Sequence, residues 1–404
     1  MGSSSGEDLE GKRVVYGITG GIAAYKAPLI VRGLRQLSLD VNVVMTESAG
    51  HFVTPLVLQT LTGKPVYTEM FPMVSQTDYE IDHIALADRA DLFLVAPATA
   101  NFIAKLAHGI ADDLLSCTIL ATKAPVLVCP SMNVNMLMNK ATQDNIEILK
   151  GRGVQILEPA SGELACGWEG AGRLPDPERI VSEVQMILTP HDLTGINILI
   201  TSGPTCEDID PVRYITNRST GKMGAAIVEA ACLRGARVKV ISGPVGIDYA
   251  PWATVIDARS AREMLDAVKE NLPDSDVLIM AAAVADYTPK NYSQSKIKKG
   301  EKTPAIEMTS TLDILSTIRP LKESRIFMGF AAETDNLKVY AQDKMVKKGL
   351  DMIVANRVGE KGSGFASDTN SGVVLSPEGV LYDFEHMAKE ALAHKILDLV
   401  KEKL

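Results

Sequence analysis

The chain has 404 residues, 46% of them hydrophobic, and a net charge of −9; such a length predicts two domains of roughly 150–200 residues, each with its own core. The acidic balance excludes a broad nucleic-acid surface, whose affinity comes from neutralising phosphates, and no apolar stretch is long enough to span a bilayer. Five cysteines, at 117, 129, 166, 206 and 232, form neither a CxxC pair nor a zinc-ligand cluster, so a disulfide framework is not expected and a reducing cytoplasm is.

Residues 1–11 are polar and read as a disordered tail. From there, short Val- and Ile-rich runs alternate with amphipathic stretches. Strands are predicted at Arg13–Thr19, Val41–Thr46, Leu92–Pro97, Val126–Cys129 and Val154–Leu157, with helical patterns including Ala24–Gln36 and Asn101–Leu120. Uniformly apolar strands separated by helices indicate a parallel sheet covered on both faces. The helix predicted at Pro177–Leu188 is followed by a boundary in Thr189–Gly195, giving domains 12–190 and 191–404. The alternation then resumes with strands at Ile196–Thr201, Arg237–Ser242, Val277–Ala282, Ile326–Phe330 and Met352–Ala355. A hairpin, Gly372–Leu375 with Val380–Phe384, and a final helix from His386 to Lys403 close the chain. The fold class is α/β, with two Rossmann-like domains.

Each half opens with a strand that runs into a turn able to meet a phosphate. In the first, Gly20-Gly21 at the strand end lets backbone N–H groups approach an anion at a helix start; taken alone, it reads equally as a plain tight turn. Gly17, Gly20 and Gly21 do not have GxGxxG spacing. Thr46–Ala49 and Ala96–Asn101 place small and hydroxyl residues at the ends of parallel strands, where such sheets bind ligands. In the second half, Asn217–Gly224 (NRSTGKMG) lacks the upstream glycine of a Walker A loop. Asp286 ends a buried strand, where Mg2+ and phosphate can meet. Lys296, Lys298 and Lys299 form either a solvated face or a triphosphate clamp.

The first half resembles the flavin-dependent cysteine decarboxylases. It is more closely similar to the corresponding half of the bifunctional phosphopantothenoylcysteine decarboxylase/phosphopantothenate–cysteine ligase family of coenzyme A biosynthesis. Thr19–Lys26, Asp82-His83-Ile84, Ala96–Asn101, Pro130–Leu137 and Ala165-Cys166-Gly167 match the family's motifs in order, with Leu137 in place of Trp and Phe102 in place of Thr. The resemblance implies a flavodoxin-like domain binding FMN through Gly20, Gly21, Ile22, Thr46, Thr99, Ala100, Asn101 and Ser131. It makes His83 the base and substrate-orienting group, Asn133 the holder of the departing carboxylate, and Cys166 the acid. Alone, His83 also reads as structural and Asn133 as a cap residue. Cys117 and Cys129 read as core residues, and the glycines around Cys166 suggest a mobile flap.

The second half resembles the family's ligase. Asp210–Gly224, Ala282–Tyr287, Lys296–Lys299, Gly329–Thr334 and Leu350–Asn356 carry the match, with Leu312 at a position usually Pro. The resemblance implies a domain with a mainly parallel sheet that uses CTP as substrate. Its nucleotide site comprises Met280, Ala281, Ala282, Asp286, Lys296, Thr311, Leu312, Asp313, Ile314, Phe330, Lys344 and Lys348, with Asp286 toward Mg2+. Phe330 also reads as core. Asn217 and Arg213 would handle the acyl-cytidylate, and Lys296 would stabilise charge on the phosphates.

The substrates implied are 4′-phosphopantothenate, cysteine and CTP, although the residues do not choose between CTP and ATP. The family also implies trimers of the first half and dimers of the second, together a dodecamer. A nicotinamide-dependent oxidoreductase would need GxGxxG and a Tyr-x-x-x-Lys pair, and neither is present at a suitable place. A non-catalytic flavoprotein would lack Cys166 or the ligase half.

Overall fold

The computed structural model describes residues 9–70, 82–163, 169–298, 305–333, 337–357 and 367–404. The chain divides between Thr189 and Pro190 into two compact units. In the first unit, β1 (Arg13–Ile18), β2 (Asp40–Met45), β3 (Val66–Tyr67), β4 (Leu92–Ala98), β5 (Val126–Pro130) and β6 (Gln155–Ile156) form one sheet. Its order is β3-β2-β1-β4-β5-β6 and every pairing is parallel. Without the short edge strand β3, this is the flavodoxin-like order.

Alternate residues of each strand feed opposite cores. Val14, Tyr16, Leu92 and Leu94 pack on one face with helices Ala27–Gln36 and Pro177–Leu188. Val15, Phe93, Val95 and Val128 pack on the other, with residues of helices Ala100–His108, Leu114–Ala121 and Lys140–Gly151. Burial on both faces is why these strands read as unbroken apolar runs.

Four points depart from the sequence reading. The stretch Asn101–Leu120 is two helices, because Gly109 adopts a left-handed cap (φ 69°) and Asp113 starts the next helix with a capping box. The segment 1–11 is not a free tail throughout, since Leu9 is only 3% exposed and joins the first core. β7 (Ala160–Glu163) and β8 (Glu169–Arg173) form an antiparallel hairpin that the sequence reading did not contain. Cys117, expected in the core, is only partly buried.

The second unit is built on an eight-stranded sheet. It comprises β9 (Asn197–Ser202), β12 (Arg237–Ser242), β13 (Thr254–Asp257), β14 (Val277–Met280), β17 (Ile326–Glu333), β18 (Met352–Arg357), β19 (Thr369–Ser376) and β20 (Gly379–Ala388). The order is β13-β12-β9-β14-β17-β18-β19-β20, parallel up to β18 and antiparallel beyond it. Two small ribbons accompany it, β10 (Cys206–Asp208) with β11 (Tyr214–Thr216), and β15 (Tyr287–Pro289) with β16 (Met308–Ser310). The last helix is Lys389–Lys401, starting later than predicted because β20 continues through Ala388.

Candidate functional sites

In the first unit, the predicted flavin residues gather at the carboxyl edge of the sheet. Thr19 ties β1 to β4: its Oγ1 donates to the Pro97 carbonyl (2.7 Å) and accepts from the Thr99 N–H (3.0 Å). Thr46 follows β2, and its N–H donates to the Ile18 carbonyl at 3.1 Å. Thr99 caps the helix carrying Ala100 and Asn101, accepting from the Phe102 N–H. Ser131 follows β5 and donates its N–H to the Ala98 carbonyl. Gly20 is required by close approach, since a Cβ there would lie 2.2 Å from Ser48 Cβ. Gly21 and the exposed Ile22 follow it into the next turn. A glycine turn, threonine hydroxyls and helix starts at the point where the strand order reverses suit a flavin phosphate.

His83 is half-buried in the first turn of helix Asp82–Arg89. Asn133 caps helix Val134–Met138 through its Oδ1, which accepts from the Asn135 N–H at 2.8 Å. Its segment is held by the β7–β8 hairpin: Met132 N–H donates to the Gly172 carbonyl at 2.9 Å. Any Cβ on Gly172 (φ 139°) would lie 2.3 Å from the Met132 carbonyl oxygen. The glycine at 172 therefore serves docking of the hairpin, where the sequence suggested mobility. Cys166 lies outside the described residues.

The two departures from the family pattern, Phe102 and Leu137, are buried in one core cluster. Burial pushes the Cys129 thiol far up and the Cys232 thiol to about 12, which makes both inert. Two further cavities in this unit, of about 410 and 300 Å³, are lined by Pro125-Val126 and by Arg13 and Asp40, where strands begin. They lie at the edge opposite the flavin residues.

In the second unit, a cavity of about 730 Å³ opens along the carboxyl ends of β14, β17 and β18. Met280, Ala281, Ala282, Asp286, Thr311, Leu312, Asp313, Ile314, Phe330, Lys344 and Lys348 of the predicted nucleotide set line it, and so does Asn217. The loop after β14 is pinned from several directions. Ala282 N–H donates to Thr201 Oγ1 (3.3 Å) and Ala285 N–H to Thr205 Oγ1 (3.0 Å). Thr311 N–H donates to the Asp286 carbonyl (2.9 Å). Asn217 Nδ2 donates to the carbonyls of Ala283 (3.2 Å) and Val284 (3.0 Å). Phe330 is only partly buried, so it is a wall residue rather than plain core.

Lys344 Nζ donates to the Phe330 carbonyl at 3.1 Å, and Lys348 pairs with Asp313 and with Ser316 Oγ. Burial raises the Asp313 carboxyl, but Lys348 and the Ser316 donors outweigh this and hold it below its usual range.

Arg213 and Lys296 do not line this cavity. The Arg213 guanidinium pairs with Asp210 (3.2 Å) and donates to the Ile297 carbonyl. Asp210 in turn accepts from the N–H groups of Val212, Arg213 and Ile297. Burial works against ionising Asp210, but these donors and Arg213 keep its carboxyl below the usual range. Arg213 thus anchors the loop that carries the exposed Lys296. Lys299 lies outside the described residues.

Lys222, Lys389, Asn356 and Asn370 are among the lining residues to which the sequence reading gave no role. Asn356 Oδ1 is a buried side-chain oxygen that meets no donor among the described residues. Lys222 was visible within NRSTGKMG and Asn356 within Leu350–Asn356; Asn370 and Lys389 reach the cavity only through the order of β18, β19 and the last helix.

A family model described as a flavoprotein matches residues 2–189. One described as the DNA/pantothenate metabolism flavoprotein C-terminal domain matches residues 193–404. The coenzyme A biosynthesis bifunctional protein CoaBC of Bacillus subtilis (strain 168) is 45% identical over 393 residues, covering 96% of both chains. Its counterpart in Escherichia coli (strain K12) is 46% identical over 369 residues, covering 90% of both. The crystal structure of a C-terminal domain of such a protein aligns with a TM-score of 0.46 at 38% identity, covering 52% of this chain and 97% of that one. With both halves matched in order over nearly its whole length, the chain belongs to the family of bifunctional coenzyme A biosynthesis proteins.

Proposed function

We propose that the second unit joins cysteine to 4′-phosphopantothenate at the expense of CTP, and that the first decarboxylates the product to 4′-phosphopantetheine. The observation that carries the ligase assignment is the single cavity on which Asn217, Asp286, Phe330, Lys344 and Lys348 converge. In the first step the carboxylate attacks the α-phosphorus of CTP, forming an acyl-cytidylate and releasing pyrophosphate; the cysteine amine then displaces CMP. Asp286 with phosphate oxygens would hold Mg2+, which is commonly bound by one or two carboxylates plus substrate phosphates. Asn217 uses its Nδ2 to brace the Ala283–Val284 backbone, which leaves its oxygen as the acceptor for the acyl transfer. Lys296 reaches the phosphates from the loop that Arg213 anchors, and stabilises the charge developing there.

In the first unit, Gly20–Ile22, Thr46, Thr99–Asn101 and Ser131 would hold FMN, which supplies reversible hydride acceptance at the substrate carbon bearing sulfur. His83 orients the substrate and acts as its base, Asn133 holds the departing carboxylate, and Cys166 returns a proton. Ile22, Tyr25, Leu29 and Leu56 are all more than half exposed on the segments after β1 and on helix Pro55–Thr62. An apolar surface of this kind suits association of subunits at the flavin edge, consistent with trimers of this half.

The assignment is tested by incubating the flavin-loaded protein with 4′-phosphopantothenate and cysteine, with CTP and ATP in parallel. Pyrophosphate and CMP should form in equal amounts with CTP, followed by carbon dioxide. Faster amide formation with ATP would overturn the choice of nucleotide.

A further inference from the structure

Two segments that carry residues assigned to successive steps of ligation are tied to one buried carboxylate. Asp210 lies in the turn between β10 and β11, and none of its side chain is exposed. Its Oδ1 accepts from the N–H groups of Val212 (2.8 Å) and Arg213 (2.9 Å), and its own N–H donates to the Arg213 carbonyl (3.2 Å). These bonds close the turn that starts β11, the strand that ends immediately before Asn217.

The second oxygen serves a different segment. Oδ2 accepts from the Ile297 N–H (3.1 Å) and pairs with Arg213 Nε (3.2 Å), while the same guanidinium donates to the Ile297 carbonyl. Ile297 is therefore held at both of its backbone groups, directly beside Lys296. Ser293 N–H adds a third tie, to the Ile209 carbonyl at 3.0 Å. A buried carboxylate is tolerated only when its lone pairs are met. Here its donors come from the turn and from the loop, so each segment is most stable with the other in place. Lys296 is exposed and forms no part of the cavity wall, so its reach depends on where this loop is held.

We propose that Asp210 is a positioning residue for ligation: through Ile297 it places Lys296, and through the β10–β11 turn it places Asn217. This rests on the roles given to Lys296 and Asn217 in the ligase reading.

The test compares the full flavin-loaded chain as wild type, Asp210→Asn, Asp210→Ala, Ile297→Pro, Lys296→Gln and the double variant Asp210→Asn with Lys296→Gln. An asparagine loses least by turning its oxygen to the two turn N–H groups, which sets its amide donors against the Ile297 N–H. Asp210→Asn therefore cuts the loop arm and spares the turn. Amides of residues 293–298 should exchange faster with deuterium while those of β11 keep their protection. The kcat for pyrophosphate release should fall roughly tenfold or more with a smaller change in the CTP KM, since a misplacement of about 1 Å can cost ~100-fold. Pyrophosphate and amide should stay one for one, and the decarboxylation rate should not change. Asp210→Ala removes the turn arm as well, so amide should then lag behind pyrophosphate. Ile297→Pro deletes the donating N–H from the loop side and leaves the buried carboxylate in place; it decides the question if Asp210→Asn fails to fold.

Wild-type pyrophosphate kinetics in a folded Asp210→Asn or in Ile297→Pro overturn the proposal. A full further loss from Asp210→Asn on top of Lys296→Gln also overturns it, because a group acting through Lys296 adds little once that lysine is gone. Amide that keeps pace with pyrophosphate in Asp210→Ala overturns the reach to Asn217. Unchanged pyrophosphate release in Lys296→Gln alone would bring down the phosphate role of Lys296, and the proposal with it, whereas a defect in Lys296→Gln without one in Asp210→Asn overturns the proposal alone.

Discussion

Replacing Gly224 with alanine should disable ligation while sparing decarboxylation. The new Cβ would lie 2.5 Å from Ser202 Cβ and 3.2 Å from Ser202 Cα, besides 2.1 Å from its Oγ. The hydroxyl can rotate away, but the other two atoms belong to β9 and cannot. Opening the Cβ–Cβ contact to about 3.4 Å requires the helix start to retreat by roughly 0.9 Å. Overpacking of this kind costs about 1–3 kcal/mol of stability. A displacement near 1 Å of a group that positions substrate can cost ~100-fold in rate. Pyrophosphate release and amide formation should therefore fall by about that factor, with the urea midpoint of the second unit lowered and flavin content unchanged. Wild-type ligation kinetics in Gly224→Ala would refute the claim that this helix start is held against β9 to serve the cavity.

Cys166→Ser should keep its flavin, release carbon dioxide once and stall, with mass spectrometry finding an oxidised, decarboxylated ene-thiol; complete turnover would remove Cys166 from the mechanism. Asn217→Asp should slow amide formation, because it replaces the two Nδ2 donors to Ala283 and Val284 by a carboxylate facing two carbonyls; unchanged coupling of pyrophosphate to amide would argue against that bracing. Asp192→Asn tests the anchor at the start of the second unit, where the Arg234 guanidinium and Lys401 hold the Asp192 carboxyl at about 2. Because the folded pKa is depressed, this stabilisation is present above the unfolded value near 3.8 and is lost as pH falls toward 2. Its ceiling of about 2.4 kcal/mol, screened at a partly exposed site, becomes about 1–2 kcal/mol. Urea unfolding of Asp192→Asn should show that deficit at pH 7 and progressively less of it as pH falls through 2, and a pH-independent deficit would contradict it.

The parallel sheets were legible because strands buried on both faces must be apolar throughout, as in Val14–Ile18 and Leu92–Ala98. What broke the reading was local geometry with a tertiary purpose. Gly109 ends a helix inside an otherwise continuous amphipathic pattern, and only its left-handed conformation distinguishes it from a tolerated helical glycine. Gly172 looked like a flexible residue, whereas the close carbonyl of Met132 gives it a packing role. The strand-end residues of both sites follow from topology, since carboxyl ends of parallel strands share one edge. Lys222 and Asp368 stand 146 residues apart and meet only because β19 returns antiparallel beside β18. No spacing in the chain encodes that meeting. Arg213 shows the converse: its motif was recognised, but its guanidinium holds the Lys296 loop instead of lining the cavity.

The central claim is that two chemistries reside in two separate units of one chain. The most direct test is His83→Asn, assayed for both reactions in the same preparation after its flavin absorbance and unfolding transitions have been matched to wild type. Ligation should continue at the wild-type rate, with pyrophosphate and amide formed one for one, while 4′-phosphopantothenoylcysteine accumulates and no carbon dioxide is released. Equal loss of both activities in that folded, flavin-loaded protein would contradict the account.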